Sequence, residues 1–287
     1  MDGSPSSAKS DGLPGPVVLL GLGFTTSRLA WRLLRNNSGA RPPRILAAVR
    51  QPERFRLLED AGVELRPIDP DGFPDGAVLV HTVPPVPQPD AGNLRRFMEA
   101  IRPVRLLYIS STGVYGAQRE VDGSTQPAPS EEKGLRRADE EKWVACGPWS
   151  HLILRAAAIY GPGRGVHVRL LEGKLPRGAG SEVVSRIHAD DLAALLEAGL
   201  YSGVQGAFPA ADEHPCSSDE IVAWCSRHLG LGTPCGDRTF PVSGRRVDGR
   251  RIFELLGIRP SYPDYKKGIP ASLAEEGWPG LNSVPTA

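Results

Sequence analysis

PVVLLGLGFTTSRLA (16–30) is the stretch that decides how the rest of the chain is read. PVVLL is an uninterrupted aliphatic run, the pattern of a strand buried on both faces. A glycine turn follows at once, and TSRLAWRLLR then places Leu29, Leu33 and Leu34 on one face of a helix. Strand, glycine turn and helix in that order bring free backbone N–H groups and the positive end of a helix dipole to one point. Gly21 and Gly23 supply the tight turn and the close approach of backbone to a pyrophosphate, with Phe24, Thr25 and Thr26 opening the helix. The third position of the GxGxxG pattern is Thr26, which bears on helix–strand packing more than on phosphate approach.

The alternation continues downstream. RILAAV (44–49), VELRP (63–67), AVLVHTV (77–83), VRLLYIS (104–110) and HLILR (151–155) read as further strands. Between them, Pro52 and Gly62 bracket one helix, and Leu94, Phe97, Met98 and Ile101 mark the face of another. Apolar strands separated by helices imply an α/β fold, a doubly wound parallel sheet of Rossmann type that binds ligands at the carboxyl ends of its strands. After residue 160 the pattern loosens. Helices are expected at 190–200 and 217–229, the second opened by a capping box from Ser217 to Glu220. The expected organisation is a flexible tail (1–15), a dinucleotide-binding Rossmann domain (16–159), a smaller carboxyl-terminal substrate lobe (160–272) and a terminal tail (273–287).

Composition narrows the class. The chain has 287 residues, 40% of them hydrophobic and 23% charged, with a formal net charge of +1. Such a balance carries no footprint for nucleic acid or an anionic membrane surface. The four cysteines, Cys146, Cys216, Cys225 and Cys235, form no CxxC pair and read as reduced thiols, with no metal expected. No apolar run approaches the roughly 20 residues of a membrane span, and MDGSPSSAKSDGLPG (1–15) lacks the core of a signal peptide. A cytoplasmic protein is expected. HADD (188–191) is not a stand-alone metal spacing, and Asp190 or Asp191 reads as a helix N-cap. There is no GxSxG elbow, which argues against a serine hydrolase.

The end of the second strand bears on the cofactor. An acid there would hydrogen-bond the ribose hydroxyls of NAD, but VRQPER places Arg50 at that point and Arg54 one turn later. A guanidinium suits a 2′-phosphate, so NADP is expected ahead of NAD.

YISSTGVYG (108–116), LRAAAIYGPGRG (154–165) and RIHADDLAALL (186–196) form a specific combination. Together with FPAADEHPCSSDEIVAW (208–224) and SGRRVDGRRIFELLGIRPSYPDYKKGI (243–269), it resembles the extended short-chain dehydrogenase/reductase superfamily. That superfamily includes nucleotide-sugar epimerases and dehydratases, and the match looks closest to its atypical NAD-dependent epimerase/dehydratase-like branch. The resemblance, spanning roughly residues 16–270, implies NAD(P) across the strand ends and a small-molecule substrate such as a nucleotide sugar. It implies that a serine after the fifth strand, here Ser111, polarises the substrate oxygen, and that Asp69 lies near the adenine. It also sets Val83 and Pro84 in the loop past the nicotinamide, and calls for a YxxxK pair whose tyrosine is the general acid/base.

That pair is missing. EEKGLRRADEEKW (131–143) keeps the register, with Gly134 and Glu141 in matching positions, but Lys133 falls in the tyrosine slot and Arg137 in the lysine slot. No tyrosine lies between Tyr115 and Tyr160. Three readings stand open. In one, Tyr115 or Tyr160 offers a relocated phenol beside Ser111, with Arg137 acting electrostatically in an NADP-linked oxidoreduction of a hydroxyl or carbonyl group. In another, the chain is a non-catalytic NADP(H)-binding sensor or scaffold. In the third, a substrate-assisted reaction needs no tyrosine.

Overall fold

The computed structural model describes residues 13, 15–35, 42–85, 90–174, 180–231 and 244–278. Most of both expected tails and Cys235 lie outside them. Along the chain run β1 (Val17–Leu20), α1 (Phe24–Leu34), β2 (Ile45–Ala48), α2 (Arg56–Asp60), β3 (Glu64–Arg66), β4 (Val78–His81) and α3 (Asp90–Ala100). Next come β5 (Arg105–Ser111), β6 (Glu120–Val121), α4 (Glu132–Cys146), β7 (Ser150–Ala156), β8 (Ala158–Tyr160) and α5 (Val166–Leu171). The remainder are β9 (Val183–Val184), β10 (Arg186–His188), α6 (Ala189–Leu200), β11 (Gly206–Ala210), β12 (Cys216–Ser217), α7 (Ser218–Leu229), β13 (Gly244–Val247), α8 (Arg250–Leu256) and α9 (Tyr265–Glu275).

Seven strands form one sheet in the order β11-β7-β5-β4-β1-β2-β3, and every pairing in it is parallel. The doubly wound Rossmann fold expected from the alternation is the observed fold. All four residues of β1, β2 and β4 are buried, because these strands are covered on both faces. Val17 and Leu19 face one core layer with Leu29 and Leu33 of α1, Leu192, Leu195 and Leu196 of α6, and Ile252 of α8. Val18 and Leu20 face the other, with Phe97, Met98 and Ile101 from the α3 region, Val144 of α4 and Trp149. Strand order reverses between β1 and β4, the switch point at which such sheets bind ligands.

The smaller lobe is interleaved with the sheet. β8 pairs with β10, and β12, β9 and β13 from beyond residue 160 join β6 of the first half in a small mixed sheet. Yet α6 packs against α1, and β11 pairs with β7 as the seventh strand of the main sheet. The boundary at 160 is therefore crossed by 189–210, which returns to the dinucleotide half. GAFPA does not read as a strand because it holds Gly206 and Pro209. Its place at the sheet edge explains why proline is tolerated there. The α9 helix runs through Glu275, past the expected boundary at 272.

Helix α4 is fixed to the sheet by a small contact and two buried ion clusters. Gly134 lets it approach the turn after β5: a methyl group there would come within 2.7 Å of Gly113 O. Glu141 accepts from Arg155 Nε at 3.1 Å to both oxygens and from Nη2 at 2.9 Å, and both side chains are buried. Glu140 accepts from Arg95 Nη2 at 2.8 Å and lies 3.5 Å from His81 Nε2. The charged helix is thus only partly a solvated face, since two of its acids point inward.

Removing one member of a buried ion pair leaves the other uncompensated. Glu141→Gln is expected to lower unfolding stability in urea by about 3 kcal/mol, with the Glu141→Leu/Arg155→Met pair costing clearly less. A single variant no worse than the double one would show that the pair does not anchor α4. A second expectation concerns pH. Burial pushes the His167 and His188 imidazoles down from 6.5 to about 4. The unfolded chain protonates them first, so their contribution is complete above pH 6.5 and is lost as pH falls toward 4. Asp212 acts oppositely, since burial raises its carboxyl from 3.8 to about 8; it favours the folded state at low pH and ceases to do so as pH rises through 8. His167→Phe isolates one imidazole: the variant should lose less stability than the parent across that acidic window, by up to about 1 kcal/mol per pH unit. Parallel pH–stability curves would contradict it.

Candidate active site

A cleft of about 830 Å³ opens at the carboxyl ends of β1, β4, β5 and β7 and is closed on its far side by β9 and β13. Its walls include Gly23, Phe24 and Thr25 from the first turn, Thr82 and Pro84 after β4, Ile109–Thr112 at the end of β5, Arg137 on α4 and Ala156–Ile159 from the end of β7 onward. Carboxyl ends converge here because all seven strands run the same way.

The glycine turn has the geometry its residues require. Gly21 has φ +85°, a conformation open to glycine, and a methyl group there would lie 3.3 Å from Val83 Cγ2. Val83 thus packs over the turn, while Pro84 lines the cleft. Gly23 caps α1. Thr26, fully buried in the third glycine slot, accepts the Gly23 N–H at 2.8 Å through its hydroxyl, a self-capping contact that glycine could not make. The first intrahelical bond runs from Ser27 N to Gly23 O, so the preceding N–H groups of the first turn have no partner within the helix. No acid occupies that turn.

After β5, Ser111 Oγ accepts the Gly113 N–H at 3.1 Å, which leaves its own proton free to donate. Ser110 Oγ is buried in the same wall and has no partner among the described residues. Arg137 Nη1 donates to Tyr108 Oη and to Ile109 O, each at 2.9 Å, anchoring its guanidinium beside the end of β5. Arg245 reaches across from β13 and donates to the carbonyl oxygens of Thr112, Gly116 and Gln118, tying the far wall to the serine loop. Arg164 lies over the Phe24 ring, 5.4 Å from its centroid, beside the amino end of α1.

The tyrosines do not join them. Tyr115 is fully buried and outside the cleft lining; its hydroxyl accepts from Arg155 Nη1 at 3.2 Å, and burial raises its pKa against the pull of that arginine. Tyr160 donates to Asp264 O at 3.1 Å inside the other lobe, and burial raises its pKa too. The relocated phenol expected at one of these positions is therefore corrected: a tyrosine after a strand end packs when a neighbouring core takes its ring. Lys133 is exposed and does not line the cleft. Tyr108 is nearest to Arg137, but it is fully buried, stacks on His81 with centroids 4.9 Å apart, and is pushed up to about 12, chiefly by desolvation.

At the adenine side, Arg50 is exposed just beyond β2, and Arg54 donates to Gln51 Oε1 at 3.3 Å. Asp69 accepts the Asp71 N–H at 3.1 Å and caps a short turn. The α6 N-cap is His188 instead of an aspartate: its Nδ1 accepts the Asp190 N–H at 3.2 Å, so the ring proton sits on Nε2, toward Ser272 Oγ. Asp190 pairs with Arg28 at 2.6 Å, and Asp191 accepts the Ser261 and Tyr262 N–H groups. The Ser217 cap is as expected. His214, Cys216 and Glu220 offer donor atoms within 4.8 Å of one another, but Arg186 Nη1 lies 3.5 Å from the Cys216 sulfur, and that guanidinium opposes a cation. Sequence reasoning missed Ser110, Arg164 and Arg245 as wall residues. The YGPGRG and SGRRV runs contain both arginines, but only the tertiary arrangement turns them toward one cleft.

No family model matches the chain. A curated relative, the 3-diazoavenalumate denitrifying reductase of a Streptomyces species, is 28% identical over 155 residues, covering 46% of this chain and 50% of the relative. The match thus spans half the length of that relative. Among solved structures, a conserved protein of unknown function from Silicibacter pomeroyi DSS is 28% identical with a TM-score of 0.71, covering 91% of this chain and 99% of that one. A Methylobacillus flagellatus structure described as a "putative NAD-dependent epimerase/dehydratase" is 24% identical with a TM-score of 0.71, covering 92% and 99%. The shared fold runs through both lobes: the chain has the Rossmann-type α/β architecture of these two structures over nearly its whole described length.

Proposed function

We propose that the protein binds a nicotinamide dinucleotide along the switch point and is an NADP-linked oxidoreductase of a hydroxyl- or carbonyl-bearing small molecule. One observation carries this reading: a single cleft brings together the glycine turn, Ser111 and Arg137. The residues fit the cofactor. Gly21 and Gly23 form a cradle that a Cβ would crowd at Gly21, and the first turn of α1 directs free N–H groups toward phosphate. Ser110 Oγ is a buried hydroxyl in want of a partner. Arg164, beside Phe24, would add a cation at the pyrophosphate, Asp69 and Arg50 would face the adenosine end, and Val83 and Pro84 would flank the nicotinamide. When bound, the cofactor supplies or accepts the hydride.

The chain's own part is positioning and electrostatics. Ser111, held by the Gly113 N–H, keeps its proton for a substrate oxygen. Arg137 offers a permanent charge where the resemblance places a lysine, stabilising negative charge that develops nearby without moving a proton. A second reading, binding without turnover, draws on the absence of any phenol, imidazole, thiol or amine from the described lining.

Fluorescence titration with NADPH and NADH tests the cofactor; millimolar or weaker binding of both would sink both readings. Arg50→Glu is expected to weaken NADPH about tenfold and NADH much less, and equal losses would remove the phosphate assignment. Turnover is then sought by following oxidation of bound NADPH against aldehydes, ketones and nucleotide sugars. Ser111→Ala should cut any turnover by about 10²-fold at unchanged cofactor affinity. Full activity in that variant would discard Ser111, and no oxidation across the panel would leave the binding reading.

A further inference from the structure

The charge inventory of the cleft goes beyond its cofactor fit. Its described lining carries Arg119, Arg137, Arg164 and Arg245 against one acid, Glu182. Several arginines elsewhere end on carboxylates, Arg155 on Glu141, Arg95 on Glu140, Arg28 on Asp190 and Arg44 on Glu64, while the buried Arg105 and Arg186 end on neutral oxygens inside the fold. Among the described residues none of the four in the cleft forms an ion pair, and the hydrogen bonds of Arg137 and Arg245 end on neutral oxygens. Carbonyl oxygens hold a guanidinium in place without cancelling its charge.

Arg137 is the most specific of them. Both N–H bonds of its Nη1 are spent, one on Tyr108 Oη and one on Ile109 O. The Nε–H and Nη2–H edge meets no described acceptor, and this is the edge that takes a carboxylate or phosphate side-on through two parallel bonds. The group is half-buried, so an anion there meets weaker screening than at the surface. Its anchor, Ile109 O, lies two residues before Ser111 on the same strand.

We propose that Arg137 is an anion fork for the substrate, so that the molecule reacting in this cleft carries a carboxylate or phosphate close to the group addressed by Ser111. The inference rests on the cleft being a substrate site, as under the proposed function. It makes charge recognition, rather than proton transfer, the service performed by this stretch of α4. A site built to bond an anion rejects the neutral isostere, whose binding leaves the fork unpaired.

The test uses the full chain with saturating NADPH and matched charged and neutral probes, followed by calorimetry. Benzoate against benzamide is the carboxylate arm, and uridine diphosphate against uridine is the phosphate arm. The anion of at least one pair should bind tenfold or more tighter than its neutral partner, and the arm that does so identifies the group. Arg137→Gln should abolish the preference while leaving NADPH affinity within about threefold, and Arg137→Lys, which keeps charge but not the fork, should restore part of it. No preference in either arm, or a preference that survives Arg137→Gln, overturns the proposal. So does a loss in Arg137→Gln confined to NADPH, which would make the arginine a cofactor contact. If NADPH fails to bind but the probes alone show the preference and its loss in Arg137→Gln, the cofactor reading falls and the fork stands.

Discussion

Every feature of the cleft depends on one constraint: a parallel sheet must be covered on both faces. Hydrogen-bonding parallel neighbours requires a crossover after each strand, and the crossovers bury the central strands between helices. All the carboxyl ends then emerge along one edge. The glycine turn after β1, Thr82 after β4, Ser110–Ser111 at the end of β5 and the Ala156–Ile159 segment from the end of β7 meet there, although they are far apart in sequence. The second lobe contributes by reaching over that edge, with Arg245 bound to three carbonyl oxygens of the serine loop.

Beneath the cleft, polar groups are sorted into two kinds. Arg155, Glu141 and Tyr115 satisfy one another in a buried cluster and take Tyr115 out of contact with any ligand. Arg137 and Arg245 are instead held by neutral oxygens and keep their charge for the cleft. The same helix supplies both behaviours: Glu141 points down to Arg155, and Arg137, one turn earlier, reaches the end of β5. Facing the cleft, α4 thus presents the Arg137 guanidinium, while Lys133 is exposed and outside the lining.

Six of the seven main strands were legible, five as short, largely apolar runs and β3 as the alternating VELRP, each bounded by turn residues. The seventh was not, since Pro209 and Gly206 mask a strand that needs hydrogen bonds from only one neighbour. Capping at Ser217 was legible from its local spacing, whereas the α6 cap fell to His188 because both aspartates were engaged elsewhere, by Arg28 and by the 261–262 backbone. Local chemistry favours aspartate as a cap, and long-range partners overrode it. Thr26 shows a milder case: a departure from the glycine pattern is accommodated by a hydroxyl that caps its own helix.

By itself the sequence determined the strand–turn–helix alternation, the position of the glycine turn and the lack of any tyrosine between 115 and 160. These are matters of hydrophobic period and backbone conformation, which act over a few residues. Only the tertiary structure decided which polar side chains face the cleft. Whether Tyr115 is a reagent or a core residue depends on Arg155, forty positions away, and whether Arg137 is neutralised depends on which acids α4 sends inward. Burial and charge pairing are set by neighbours in space, and no local pattern encodes them.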